Sequence, residues 1–121
     1  FWLLRHAHRG RGDVSVHIVG DAAMRRLNRV HRGVDRTTDV LSFAMREGKQ
    51  LIATDDIGDI YVSVPQIRRQ AKRFAVSFEE EFYRSLSHGV LHLLGFDHRQ
   101  AGEAKRMWDL QERAVRYGTM L

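Results

Sequence analysis

An α+β layered domain, a small mixed β-sheet packed with several helices, is what this 121-residue sequence predicts. Three observations carry that expectation. Two short stretches alternate apolar and polar residues with the period of two that marks a half-buried strand. Four longer stretches place apolar residues at helical spacing. The elements follow one another as strand, helix, two strands and three helices. At 14.1 kDa there is room for one hydrophobic core, so residues 1–121 read as a single domain.

Phe1–His6 fits the cut-short end of a further helix. Val14–Val19 reads as the first strand, with Val14, Val16 and Ile18 on one face and Ser15 and His17 on the other. Asp21 is a natural N-cap for a helix to about Val30, with Met24, Leu27 and Val30 or His31 inward and Gly33 as its stop. Asp39–Phe43 forms a short strand, and a polar loop follows around Arg46–Gln50. Ile57–Val64 is the third strand, in which Ile60, Val62 and Val64 alternate with Tyr61 and Ser63. Pro65 suits the first turn of a helix whose apolar positions are Ile67, Ala71 and Phe74. Ser77 and Glu80 have the spacing of a capping box and open a helix to about Leu94, which Gly95 ends. The last helix spans about Gln100–Tyr117, with Ala104, Met107, Trp108, Gln111, Ala114 and Val115 along one side, and Gly118 stops it.

Composition removes several function classes. Hydrophobic residues make up 43% and charged residues 29%, which argues against disorder. There is no cysteine, hence no disulfide, thiolate metal site or Cys nucleophile. No apolar run approaches the roughly 18 residues of a membrane span. His6, His8, Arg9 and Arg11 follow directly on Phe1–Leu4, which is not a signal-peptide pattern. The expected setting is cytoplasmic. The chain begins without Met, so further residues are expected upstream. Twenty Lys and Arg against fifteen Asp and Glu leave a net charge of +5, and the pI is near 10.2. Seventeen of the basic residues are Arg, whose planar fork suits phosphate. A polyanionic partner accounts for that surplus, and so does a G+C-rich genome.

The most informative segment runs from His88 to His98, HGVLHLLGFDH. His88 and His92 are four apart on a predicted helix, so both imidazoles leave the same face. Phe82, Leu86, Val90, Leu93 and Leu94 cluster nearly opposite. Gly95 lets the chain turn and bring His98 back over the helix end. Three converging imidazoles suit zinc or a similar divalent ion with one position left for water. The spacing is that of the metzincin proteases, but Gly89 stands where they place the glutamate base. A peptidase is therefore not expected. Histidines His6, His8, His17 and His31 read as ordinary surface or strand residues, and Asp55, Asp56 and Asp59 as a solvated loop.

HGVLHLLGFDH resembles the signature of the YbeY family of bacterial endoribonucleases. LNRVHRGVDRTTDVLSF, Leu27–Phe43, is similar to that family's second block, and GDIYVSV, Gly58–Val64, to its Gly-Asp strand. The likeness extends from about Val14 to Gly118. Two departures stand out: Ala44 where relatives commonly have Pro, and His31 in place of an aromatic residue. By this resemblance, much of the family's N-terminal part is expected to lie upstream of Phe1.

The resemblance implies a metal-dependent, single-strand-specific endoribonuclease in rRNA maturation and ribosome quality control. It makes His88, His92 and His98 the metal ligands and Arg32 the functional arginine. The implied cofactor is one divalent ion, Zn2+ before Ni2+ or another. The implied partners are single-stranded, ribosomal RNA and the small ribosomal subunit; no membrane is expected, and the oligomeric state stays open, a monomer being favoured. Read without the resemblance, Arg32 is a cation at a helix C-terminus balancing the dipole, and Asp97 is a turn residue or an acceptor for an imidazole N–H. Two other functions stay open at this point: an RNA-binding ribosome factor with a structural metal, and a metal-dependent hydrolase of another phosphoester or amide.

Overall fold

The structure is a computed structural model that describes residues 3, 12–44, 56–96 and 101–120. Its elements are β1 (Asp13–Val19), α1 (Asp21–Arg32), β2 (Val40–Ala44), β3 (Asp56–Ser63), α2 (Val64–Arg73), α3 (Phe78–Leu93) and α4 (Ala101–Thr119). That is the expected order in an α+β fold. Of Phe1–His6 only Leu3 is described; it is helical and fully buried in the core. The expected loop at Arg46–Gln50 lies outside the described residues.

The three strands lie in the order β1-β3-β2. β1 runs parallel to β3, and β2 runs antiparallel to it. Ile60 and Val62 of β3 are fully buried beneath α2 and α3, where Ile67, Val90 and Leu91 meet them. Each side chain of this size contributes about 1.5–3 kcal/mol when fully buried. β1 is an edge strand, and this corrects the expectation for its apolar face: Val16 is 44% and Ile18 67% exposed. The central strand β3 takes the covering helices, and β1 lies beyond them.

Helix ends follow local chemistry with three exceptions. Gly33 closes α1 in the left-handed conformation (φ 72°), returning its N–H to Arg29. Ser77 Oγ accepts the Glu80 N–H at 3.0 Å, the capping half of the expected box. The Glu80 carboxylate turns to Arg84 instead (3.1 Å). Asp21 is not the N-cap of α1; Gly20 is, with no side-chain cap. Asp21 spends its oxygens on Arg69 of α2 (2.7 and 2.8 Å), Thr37 and Ser63, so a tertiary ion pair wins over a local cap. Arg69 holds its carboxyl below the usual range. Pro65 is preceded in α2 by Val64, with Ser63 as cap.

Gly118 does not end α4, which continues to Thr119. Its missing side chain makes room for the Tyr83 ring, which a Cβ would meet at 2.9 Å. The buried side of α4 is Met107, Leu110, Gln111, Ala114 and Val115. Trp108, expected inside, is 57% exposed, because Leu110 takes the inward position. Phe74 and Val30 are exposed too, the first lying beyond the end of α2 under Arg73. Among the described residues no helix is long and apolar enough to cross a membrane.

Candidate functional site

Helix α3 rests on β2 and β3 through a residue with no side chain. A Cβ on Gly89 would lie 2.8 Å from Val40 Cγ2, 3.0 Å from Ser42 Oγ and 3.4 Å from Ile60 Cγ2. Glycine is therefore what lets the helix backbone approach the sheet. Ser42 Oγ donates to the Gly89 carbonyl at 2.9 Å, fixing that approach with a hydrogen bond. The expectation that Gly89 marks a missing base gains a structural reason here. The position faces the sheet, and no glutamate fits there.

Next to that contact, His88 and His92, both half-buried, open onto a cleft of about 470 Å³. Arg32, Asp39 and Ser42 line the same cleft. The two Nε2 atoms are 2.9 Å apart, with the rings nearly perpendicular (80°). His88 Nδ1 is 3.0 Å from Gln111 Oε1 on α4. His98 and Asp97 lie outside the described residues, as do His6, His8 and Asp55. Among the described residues no group of three His, Asp or Glu side chains gathers in a metal-binding arrangement.

A divalent ion fits the pair that is described. Two nitrogens bound to one ion at about 2.1 Å lie about 3.0 Å apart at a right angle and about 3.4 Å at the tetrahedral angle. The observed 2.9 Å is close to the first value. The donors are imidazoles, which suit zinc and nickel.

Arg32 comes to the cleft from the last turn of α1. Nη2 donates to the Ser42 carbonyl at 2.9 Å, and the guanidinium lies 4.9 Å from the centre of the Phe43 ring. Ser42 thus holds Arg32 through its carbonyl and α3 through its hydroxyl. With five N–H donors, an exposed Arg32 retains several for an anion. His31, exposed as expected of a surface residue, meets Phe43 edge-on at 5.0 Å. Ala44 ends β2.

Behind the histidines lies a polar network that sequence reading assigned to other duties. Asp39, the first residue of the strand that periodicity predicts, lies just ahead of β2. Its carboxylate accepts from Ser85 Oγ (2.8 Å), Gln70 Nε2 (3.3 Å) and its neighbour's Val40 N–H (2.9 Å), tying β2 to α2 and α3. Gln70 also donates to Glu81 (2.9 Å). Arg84 grips Glu112 with Nε and Nη2, both at 2.9 Å, and reaches Glu81 at 3.1 Å. That grip holds the Glu112 carboxyl below its ordinary range and pushes Arg84 above its own. Gln111 was counted on the inward stripe of α4. A glutamine there was itself a signal, since a buried amide needs partners. Asp59 lies in β3, not in a loop, and pairs with His17 at 2.9 Å while His17 stacks on Tyr61 (4.5 Å). Asp59 falls within the span expected for the third strand, and the loop reading fails for Asp56 as well because β3 begins there.

Comparison with known proteins adds the family. A model of the family described as endoribonuclease YbeY matches residues 4–117. The endoribonuclease YbeY of Brevibacillus brevis is 43% identical over 116 residues, covering 86% of this chain and 73% of its own length. That of Persephonella marina is 37% identical over 111 residues, covering 91% and 72%. The solution structure of a Thermotoga maritima protein superposes with a TM-score of 0.63 at 33% identity, over 91% of this chain and 70% of that one.

Proposed function

The chain belongs to the endoribonuclease YbeY family, and from that premise we propose that it cuts single-stranded RNA with one divalent ion, Zn2+ first, held by His88, His92 and His98. Endoribonucleases are hydrolases of RNA phosphodiester bonds, and in this family that activity serves rRNA maturation. The observation that supports the site is the 2.9 Å approach of two imidazole nitrogens in a cleft that Arg32 shares. We extend the reading to ribosomal RNA on the small ribosomal subunit as the substrate, in the cytoplasm, with residues 1–121 as one domain acting as a monomer.

An ion held by His88, His92 and His98 would supply Lewis-acid chemistry, making water a far stronger acid and polarising a phosphoryl oxygen. The chain's own residues supply the rest. His88 and His92 present their Nε2 atoms to one point, being one helical turn apart and held against the sheet by Gly89. Arg32, permanently charged, binds a phosphate oxygen at the cleft rim and neutralises the charge that gathers there during cleavage. Its grip on the Ser42 carbonyl keeps it aimed before substrate arrives. Asp39, locked by Ser85, Gln70 and the Val40 N–H, keeps the strand carrying Ser42 in register with α3. With no carboxylate at position 89, peptide hydrolysis is negligible.

Metal analysis of the purified protein, followed by cleavage of single- and double-stranded RNA with and without chelator, tests this reading. The expected outcome is about one ion per chain and chelator-sensitive cutting of the single strand. Metal-loaded protein that binds RNA and cuts nothing would return the site to a structural role.

A further inference from the structure

Gln111 is 7% exposed on the inward side of α4, and both ends of its amide are engaged. Shape does not distinguish the oxygen of a glutamine amide from its nitrogen; its partners do. One end faces Glu112 Oε2 at 3.2 Å. Arg84 clamps both oxygens of that carboxylate at 2.9 Å, so Glu112 is ionised and can only accept. The group turned toward it is therefore the NH2, and the carbonyl Oε1 faces His88 Nδ1 at 3.0 Å. A carbonyl cannot donate. The proton of that hydrogen bond belongs to His88 Nδ1, and in a neutral imidazole this leaves the lone pair on Nε2. Nε2 is the atom that meets His92 at the cleft.

We propose that Gln111 is a positioning residue for the metal site: its carbonyl keeps the His88 proton on Nδ1 and so presents the Nε2 lone pair to a divalent cation. This rests on the reading of His88 as a metal ligand. The orientation is set from a distance. Arg84 on α3 fixes Glu112, Glu112 fixes which end of the Gln111 amide points where, and the amide fixes the tautomer and ring angle of His88. An amide suits this place better than a carboxylate would. It supplies the acceptor without setting a second negative charge beside Glu112, whose own charge is already matched to Arg84.

The test compares the wild type with Gln111→Met, which keeps the volume and removes the acceptor, and Gln111→Glu, which keeps the acceptor. Zinc affinity is measured by chelator competition on metal-free protein. The His88 tautomer is read from long-range 15N–1H spectra, and folding from thermal unfolding. The expected wild type carries the proton on Nδ1. Gln111→Met should bind zinc roughly 10- to 100-fold more weakly and show mixed tautomers at His88, while Gln111→Glu should stay within a few-fold of the wild type. An unchanged affinity and tautomer in folded Gln111→Met overturns the proposal, and so does a wild type protonated on Nε2. If Gln111→Met does not fold, Glu112→Gln removes the orienting carboxylate: a smaller loss of affinity with mixed tautomers supports the proposal, and no change in either overturns it. His92→Ala separates the two levels. If it binds zinc as tightly as the wild type, the metal reading fails; if it loses zinc while Gln111→Met does not, only the role of Gln111 fails.

Discussion

His88 and Gly89 are neighbours in sequence and opposites in constraint. Toward the cleft, His88 and His92 stand half-buried above open space. On the sheet side, Gly89, Val90 and Leu91 lie against β2, β3 and the core with no room for one more carbon at position 89. One turn of helix thus carries a face defined by what it can bind and a face defined by what it cannot accommodate. Substitutions of the histidines should cost activity and spare the fold; substitutions at Gly89 should act first on stability.

The largest expected effect breaks the first face alone. His92→Ala should reduce RNA cleavage to background and abolish zinc binding, with stability changed by no more than about 1 kcal/mol in denaturant unfolding. Salt-sensitive RNA binding should largely survive, because the chain's net charge of +5 does not depend on a neutral His92. A comparable fall in stability would mean that the cleft face also holds the fold. Next comes Arg32→Ala. If Arg32, held by the Ser42 carbonyl, serves phosphate as proposed, its loss should lower kcat/KM for RNA by about 10- to 100-fold, with a shallower salt dependence of binding. A variant with unchanged kinetics would leave Arg32 as a helix-end cation.

Gly89→Ala probes the face against the sheet. The added methyl group meets Val40 and Ser42, so a loss of about 1–3 kcal/mol is expected in thermal or denaturant unfolding. Cleavage per folded molecule should change far less than in His92→Ala. The smallest effect is in acid. Glu112 has its carboxyl lowered first by the Arg84 hydrogen bonds, so its stabilising contribution is complete above the unfolded value of 4.5 and is lost as pH falls through the lower folded value. Unfolding measured from pH 6 to pH 3 should therefore show a gentler acid decline in Glu112→Gln than in the wild type.

What could be read from the sequence divides along the same line. The His88–His92 face followed from spacing alone, since i and i+4 must share a side of a helix. The order of elements followed from periodicity and from Gly33, Ser77 and Gly95, which act within one turn. Contacts between distant segments were not legible. Asp21 looked like a cap and became a partner of Arg69, 48 residues away. Gly118 looked like a stop and proved to be a seat for Tyr83. Gly89 looked like a lost base, while its packing against Val40 and Ser42 had no local signal. Trp108 and Leu110 exchanged places because a stripe of residues marks a helix's inner side only broadly. The exposed Val16 and Ile18 depend on which strand is central, which alternation within a strand cannot say.

The placing of β1 at the sheet edge has a consequence in time. β1 pairs in parallel with β3 across about forty residues of intervening chain, the kind of closure that forms late because its entropy is lost before its hydrogen bonds are gained. β2 and β3 join antiparallel, and α3 and α4 follow each other directly, so the strands and helices that frame the cleft can assemble without waiting for β1. The amide hydrogens of β1 should accordingly be the first in the sheet to exchange with solvent, and those of β3 facing β2 among the last.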